Sequence, residues 1–308
     1  MSEAKVNPYL ILAIGVISVS TSAILVKVAS APAGVIAFYR LFFTVLFMLP
    51  IFLIKYVHEL RHITKKDWLF CMISGVFLAF HFILWFESLN YTSVASSTVL
   101  VTLQPLFAFV GTYIFFKEKF SWKAIISAVI AIAGCIIISW GDFMISGSAL
   151  YGDMLALIAC ALVTGYLMFG QSVRQRVSLI TYTFLVYANS AAVLFIYVIT
   201  VQEPLYPYPA SDWLYFVLLA LVATLLGHTL FNWSVKFLST STISMAILFE
   251  PVGAAVLAYY LLQESLVWTQ VLGGFIVIGG LSIFLLDERS IRKKQLQSQL
   301  IKMNSSKR

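Results

Sequence analysis

Charge is scarce in this chain of 308 residues: Asp, Glu, Lys and Arg make up 11% of it, against 61% hydrophobic residues and a mean hydropathy of +0.96. So little charge excludes an ordinary soluble domain, in which charged residues run near a quarter. Cysteine is also thin. Cys71, Cys135 and Cys160 stand singly inside apolar runs, at no metal or redox spacing, and read as small buried hydrophobes. A Walker-type phosphate loop is missing, which argues against a built-in ATP motor. Nothing in the sequence asks for a cofactor or a metal.

What the chain has instead is a series of apolar runs long enough to cross a bilayer. Ten spans can be read, near 8–29, 33–54, 67–88, 93–115, 121–139, 150–170, 180–199, 211–233, 240–262 and 267–286. The first imitates a secretory signal, with Lys5, an apolar run from Tyr9, and Ala29-Ser30-Ala31 as a cleavage site. That run is long for a signal core and Lys27 precedes the supposed site, so a retained span is expected.

The chain aligns on itself without a gap at an offset of 146 residues. Ser88/Ser234, Ser93/Ser239, Pro105/Pro251, Ala108/Ala254, Tyr113/Tyr259, Glu118/Glu264, Trp122/Trp268 and Gly134/Gly280 coincide. The earlier region agrees more weakly, through Ala13/Ala159, Ser18/Thr164 and Phe38/Phe184. Proline, glutamate and tryptophan matching in one register mark an internal duplication. The expected units are residues 1–145, residues 146–286 and a basic tail, 287–308.

Lys and Arg set the orientation. Of the twenty, Lys27 and Arg40 are set aside as lying within spans; the other eighteen fall at the N-terminus, in or at the edge of alternate connections, and in the tail. Both termini are therefore expected in the cytoplasm, with the protein multi-pass in a plasma membrane of bacterial inner-membrane type. Five spans per unit is an odd number, so the two halves would insert in opposite orientations. The fold expected is all-α and polytopic, ten helices in two inverted five-helix repeats. Such repeats place a substrate site near the midplane, between the halves. The net charge of +7 reads as topology and as attraction of the tail to anionic lipid, and gives no support for nucleic-acid binding.

Tyr91-Thr92-Ser93-Val94-Ala95, Leu103-Gln104-Pro105 and Phe116-Lys117-Glu118 resemble the first copy of the EamA-type repeat. Leu248-Phe249-Glu250-Pro251-Val252 with Leu262-Gln263-Glu264 resembles the second. Apart from the two tails, the whole chain is similar to the drug/metabolite transporter superfamily. The resemblance implies a secondary exporter of small metabolites, often amino acids or related compounds, with a cavity lined by helices 1, 3, 4, 6, 8 and 9. One departure is visible: Ser18-Val19-Ser20-Thr21-Ser22 stands where many relatives resemble a Trp-Gly pair.

Polar residues inside spans are the candidates for chemistry, because an ionisable group at the bilayer centre costs about 2.5–3.5 kcal/mol on insertion scales. Glu250 leads, set mid-span beside Pro251; its repeat mate Gln104, beside Pro105, is neutral. The two prolines are expected to kink their helices. The alternative for Glu250 is packing alone. His81 with Trp85, and His228 with Asn232, form i,i+4 pairs; each could face a substrate or bond a neighbouring helix. Arg40, next to Tyr39, could clamp a carboxylate, though a pairing with Glu87 is favoured. Ser18, Ser20, Thr21 and Ser22 could face the cavity or bond their own helix. Lys27 is expected to snorkel, and Glu118 and Glu264 to cap or orient helix ends.

His58-Glu59-Leu60-Arg61-His62 matches the H-E-x-x-H pattern of zinc proteases. It sits in a short basic connection without an obvious third ligand, and a solvated charged loop explains it with less. Ala124, Ala128, Ala131 and Gly134 in the fifth span, with Gly273, Gly274, Gly279 and Gly280 in the tenth, permit close helix approach. They could serve the bundle or a homodimer contact. The reading reached is a non-enzymatic secondary transporter of a small organic metabolite, with proton coupling left open. A membrane scaffold or lipid flippase is the alternative, and an intramembrane zinc protease a remote one.

Overall fold

Asn7 opens the first helix by accepting a hydrogen bond from Tyr9 N at 3.0 Å, and Pro8 follows at the first helical position, where its missing donor costs nothing. Thr64, Ser178 and Ser239 open three later helices in the same way, their hydroxyls accepting from Asp67 N, Thr181 N and Thr242 N. In this computed structural model the backbone is described for residues 6–92, 94–138, 140, 147–263 and 267–305, without side chains for 95, 147, 258, 262 and 292–305. Ser93, Glu264 and the connection around residues 141–146 lie outside the described residues.

Among the described residues the regular structure is all helix. Nine helices are long and apolar enough to cross a membrane: α1 (Pro8–Val28), α2 (Ala33–His62), α3 (Lys65–Ser88), α4 (Ser96–Phe116), α6 (Ser148–Val173), α7 (Leu179–Thr200), α8 (Ala210–Ser234), α9 (Thr240–Leu261) and α10 (Trp268–Ile291). Between α4 and α6 lies α5 (Trp122–Ile138), apolar and 17 residues long, at the lower limit for a span. The last helix continues past its apolar part to Ser305.

Helices of the first half pack chiefly against helices of the second. The richest contacts are α5 with α10 and α3 with α6, followed by α1 with α8, α2 with α7 and α4 with α6. Small residues set the α5–α10 distance. A Cβ on Gly134 would lie 2.8 Å from the Gly273 carbonyl, and one on Gly280 would lie 2.8 Å from Ala131 N. These glycines are thus used within the chain.

Several spans are broken rather than continuous. In α4, helix Val94–Thr102 stops at Leu103 and a second helix, Gln104–Phe116, begins; in α9, Thr240–Ile247 stops at Leu248 and Phe249, and Glu250–Leu262 begins. The breaks fall at equivalent places in the two halves, immediately before Pro105 and Pro251, which supply no backbone donor to the preceding turn. Both second pieces end alike, with Lys117 and Gln263 in the left-handed region at φ 57°. α1 also breaks, between Val19 and Ser22. There Ser20 approaches Gly253 of α9 so closely that a Cβ on the glycine would lie 2.3 Å from Ser20 Oγ. α8 carries a π-helical stretch over Leu219–His228.

The H-E-x-x-H segment has no buried residue, as the sequence suggested, but it is a short helix and not an irregular loop. Val57–His62 forms a 3-10 helix, and Glu59 accepts a 2.6 Å hydrogen bond from Thr181 Oγ1 at the start of α7. With three residues per turn, His58 and His62 are about 120° apart around the axis, whereas zinc ligation needs both on one face. Among the described residues no group of three His, Cys, Asp or Glu side chains could hold a metal ion.

Candidate functional site

Six helices meet around one small interior cavity. Val19 of α1, His81 and Trp85 of α3, Val101 and Gln104 of α4, Val163 and Leu167 of α6, His228 and Phe231 of α8, and Ile247 and Glu250 of α9 line it. These are helices 1, 3, 4, 6, 8 and 9. The cavity measures about 20 Å³, room for little more than one water molecule. Every residue on its wall is buried.

The polar groups on its wall are left open. Glu250 is 4% exposed and its carboxylate takes no hydrogen bond or ion pair from any described residue. It stands in the first turn of its helix piece, where the helix dipole favours negative charge, and Arg40 is near enough for the two charges to interact. Gln104 Oε1, Trp85 Nε1 and His228 Nδ1 are buried without partners. His81 is fixed, its Nδ1 lying 3.0 Å from the Ala159 carbonyl, and its ring stacks on Trp85 with centroids 5.8 Å apart. Buried polar groups are normally satisfied, so several unsatisfied ones around one chamber point to an occupant.

The other residues singled out from the sequence lie elsewhere. Asn232 is fully buried one turn beyond His228, its amide donating to the Tyr166 and Tyr187 hydroxyls and to the His228 carbonyl. Tyr39 packs near the connection between α7 and α8 instead, stacked on Phe216 at 5.0 Å and donating to the Leu205 carbonyl at 2.9 Å. Ser18 bonds back to Ile14 O, as do Ser20 to Val16 O and Thr21 to Ser18 O. Ser22 accepts from Arg40 at 2.9 Å.

The favoured Arg40–Glu87 pairing is not formed. Glu87 accepts instead from Asn90 Nδ2 at 3.2 Å. Arg40 is fully buried, its Nε donating to Thr224 Oγ1 at 2.8 Å and its guanidinium lying 4.2 Å from the centre of the Phe82 ring. Its position on the inner face of α2 turns the fork inward, toward α1 and α8 and away from Glu87. Its Nη2 has no partner. At the helix ends, Lys27 is exposed and lines a surface pocket, and Glu118 accepts from Ser241 Oγ at 3.0 Å.

Sequence reasoning missed two kinds of residue. Tyr166 and Tyr187 look like ordinary apolar filling in a span, yet they hold Asn232. The clasps at the two ends of the bundle were missed too. Arg176 pairs with Asp67 at 2.5 Å, and Ser30 N, Ser30 Oγ and Ala31 N all donate to Asp212 Oδ2 at 2.8–3.0 Å.

Comparison with known proteins settles the family. Residues 7–140 and 150–286 each match the EamA-like transporter family. The chain belongs to that family. An uncharacterised transporter of Synechocystis is 22% identical over 258 residues, covering 79% of this chain and 72% of that protein. An uncharacterised transporter of Bacillus subtilis is 25% identical, covering 73% and 72%. Solute carrier family 35 member G1 of the mouse is 28% identical over a shorter stretch, covering 54% and 48%. A crystal structure shares the fold, with a TM-score of 0.75 at 18% identity over 92% of this chain and 98% of that one. The protein is thus a multi-pass transmembrane transporter of the EamA family.

Proposed function

We propose that this EamA-family protein is a secondary active exporter of a small organic metabolite, an amino acid or related compound, working by alternating access with proton coupling. The observation that carries the proposal is the closed six-helix cavity, with Glu250 unpaired at the break of α9. A discontinuous helix whose N-terminal end points into a midplane site is a recurring device of such transporters. An unpaired carboxylate there can exchange a proton or a cationic group whenever the chamber opens to water.

Ten spans in two inverted repeats give this site its mechanism. Three structural relations at the 146-residue offset support that reading. Lys117 and Gln263 share one unusual backbone conformation. Ser30 and Arg176 each donate to an aspartate at the start of α8 or α3. Val35 and Thr181, one turn into α2 and α7, each meet a glutamate, Glu203 and Glu59. In the proposed orientation the loops with Lys55, Lys65, Arg174 and Arg176 are cytoplasmic, as are both termini, and the Asp212 clasp faces outward. The membrane is then a plasma membrane of inner-membrane type.

The test is solute flux into proteoliposomes, screened over metabolite pools with and without an imposed proton gradient. Protein-dependent uptake that responds to the gradient is expected. Absence of protein-dependent flux for every pool rejects the transport mechanism. For the orientation, a cysteine replacing exposed Tyr206 should react with an impermeant thiol reagent outside intact cells, and one replacing Lys65 should not; the reverse pattern rejects it.

A further inference from the structure

From the chemistry of the cavity wall we infer that the solute carried is a small organic amine, bound as its ammonium ion and lacking a carboxylate. This rests on the transport function proposed above and narrows it.

The wall is short of positive charge and rich in acceptors. Among its eleven residues Glu250 is the only formally charged side chain; Lys and Arg are not represented. Gln104 offers an unpartnered Oε1. His81 adds a third acceptor. Its Nδ1 faces a backbone carbonyl at 3.0 Å, and a carbonyl cannot donate, so the proton sits on Nδ1 and the neutral ring leaves a lone pair on Nε2. Trp85 supplies the face of an indole ring, the best of the aromatic surfaces for a cation. Facing these stand one certain donor, Trp85 Nε1, and the His228 ring. The remaining wall, Val19, Val101, Val163, Leu167, Phe231 and Ile247, is apolar.

Arg40 is not among the lining residues, so the wall offers a carboxylate no direct ion pair. Its guanidinium donates through Nε to Thr224 and through Nη1 to Ser22 and lies over the ring of Phe82, with Nη2 alone unpartnered. That ring in turn packs against His228, with centroids 5.4 Å apart, so Arg40 is a neighbour of the wall and not part of it. An α-amino acid would therefore bring its carboxylate into a chamber already holding Glu250, at a like-charge cost that desolvation enlarges. The ammonium also fits the coupling. A proton and an ammonium each add one positive charge to Glu250, so exchange of one for the other leaves the chamber's charge the same on both legs of the cycle.

The experiment is counterflow with the full chain in proteoliposomes at pH 7, with protein-free liposomes subtracted. Two matched sets serve as probes: 3-methylbutylamine, leucine and 4-methylpentanoate; and phenethylamine, phenylalanine and 3-phenylpropanoate. Each set holds one skeleton and varies only the charged groups. The expected result is exchange of the amines at least tenfold faster than of the matched amino acids or acids, and a drop of at least tenfold for the amines in Glu250→Gln. Equal or faster exchange of the amino acids or acids overturns the amine assignment while leaving the transport function standing. No exchange of any probe by wild type also overturns the assignment; the metabolite screen above then decides separately whether the protein transports anything.

Discussion

Arg176 and Asp67 join the two halves at 2.5 Å on the basic end of the bundle, and Ser30 and Asp212 join them at 2.8 Å on the other. Subtracting 146 carries Arg176 onto Ser30 and Asp212 to within one residue of Asp67. One clasp is an ion pair and the other a hydroxyl and two amides on a carboxylate, yet the positions correspond. Both are formed at once, on either side of a chamber of about 20 Å³. Alternating access would open one while the other holds.

Unlatching either clasp should therefore bias the chamber toward one side. In a background with the three native cysteines replaced, a cysteine at Val163 reports access to the cavity wall. Asp67→Asn should raise its labelling rate several-fold from the basic face, and Asp212→Asn should raise it from the opposite face. Equal labelling from both sides in both variants would mean that the clasps hold the fold together without gating it.

Glu203 gives the non-basic face a dependence on pH. Its carboxyl lies against Gly34 and Val35 at the start of α2. Burial, and then the neighbouring Glu87, push its pKa above the ordinary carboxylate value. A raised carboxyl pKa means the packed state binds the proton more tightly than the unfolded chain does. That stabilisation is present at low pH and is lost as pH rises through the raised value. The unfolding midpoint in detergent should accordingly fall as pH is raised from about 4.5 upward, by an amount that Glu203→Gln reduces. An identical pH slope in the variant would remove Glu203 from the account.

Arg40 should be a point of stability. Its two hydrogen bonds tie α2 to the second piece of α1 and to the π-helical stretch of α8, where Thr224 also donates to Leu219 O at 3.0 Å. Bonds to charged groups contribute about 1.5–3 kcal/mol each. Lysine keeps the charge but not the planar fork. Arg40→Lys should lose about 2–4 kcal/mol, read as a drop of several degrees in the unfolding midpoint. A variant as stable as wild type would show that the fork is dispensable.

The sequence disclosed the chamber and concealed its frame. Glu250 and Gln104 could be found because a polar side chain beside a proline stands out in an apolar run, and His81 and His228 because each is a polar ring within such a run. The apolar wall could not, since Val101 or Leu167 looks like any lipid-facing residue until the helices are packed. Arg40 went to the wrong partner because helical position was judged by depth. Rotation about the helix axis decided it, turning the guanidinium toward α1 and α8. The clasps were hidden for another reason. At the 146-residue offset Ser30 and Arg176 coincide in position but differ in type, while Asp67 and Asp212 agree in type but miss the register by one, so neither pair shows as a match.

Glu250 is expected to titrate in the transport cycle. Gln104 shows that an amide is accommodated at the equivalent break beside the equivalent proline, so Glu250→Gln should fold and insert. Glutamine also mimics the protonated acid in shape and charge, while being unable to release the proton. The variant is therefore held in one half of the exchange. It should show no accumulation against an imposed proton gradient, and any residual downhill exchange should be slow and insensitive to pH. Wild type should accumulate substrate in the compartment that is made acid, with the rate changing across the pH range over which Glu250 exchanges its proton. The measurement is gradient-driven uptake by proteoliposomes at a series of external pH values, wild type against variant. If the two give the same rate and the same pH profile, the carboxylate serves packing at the helix break and the proton is carried elsewhere or not at all.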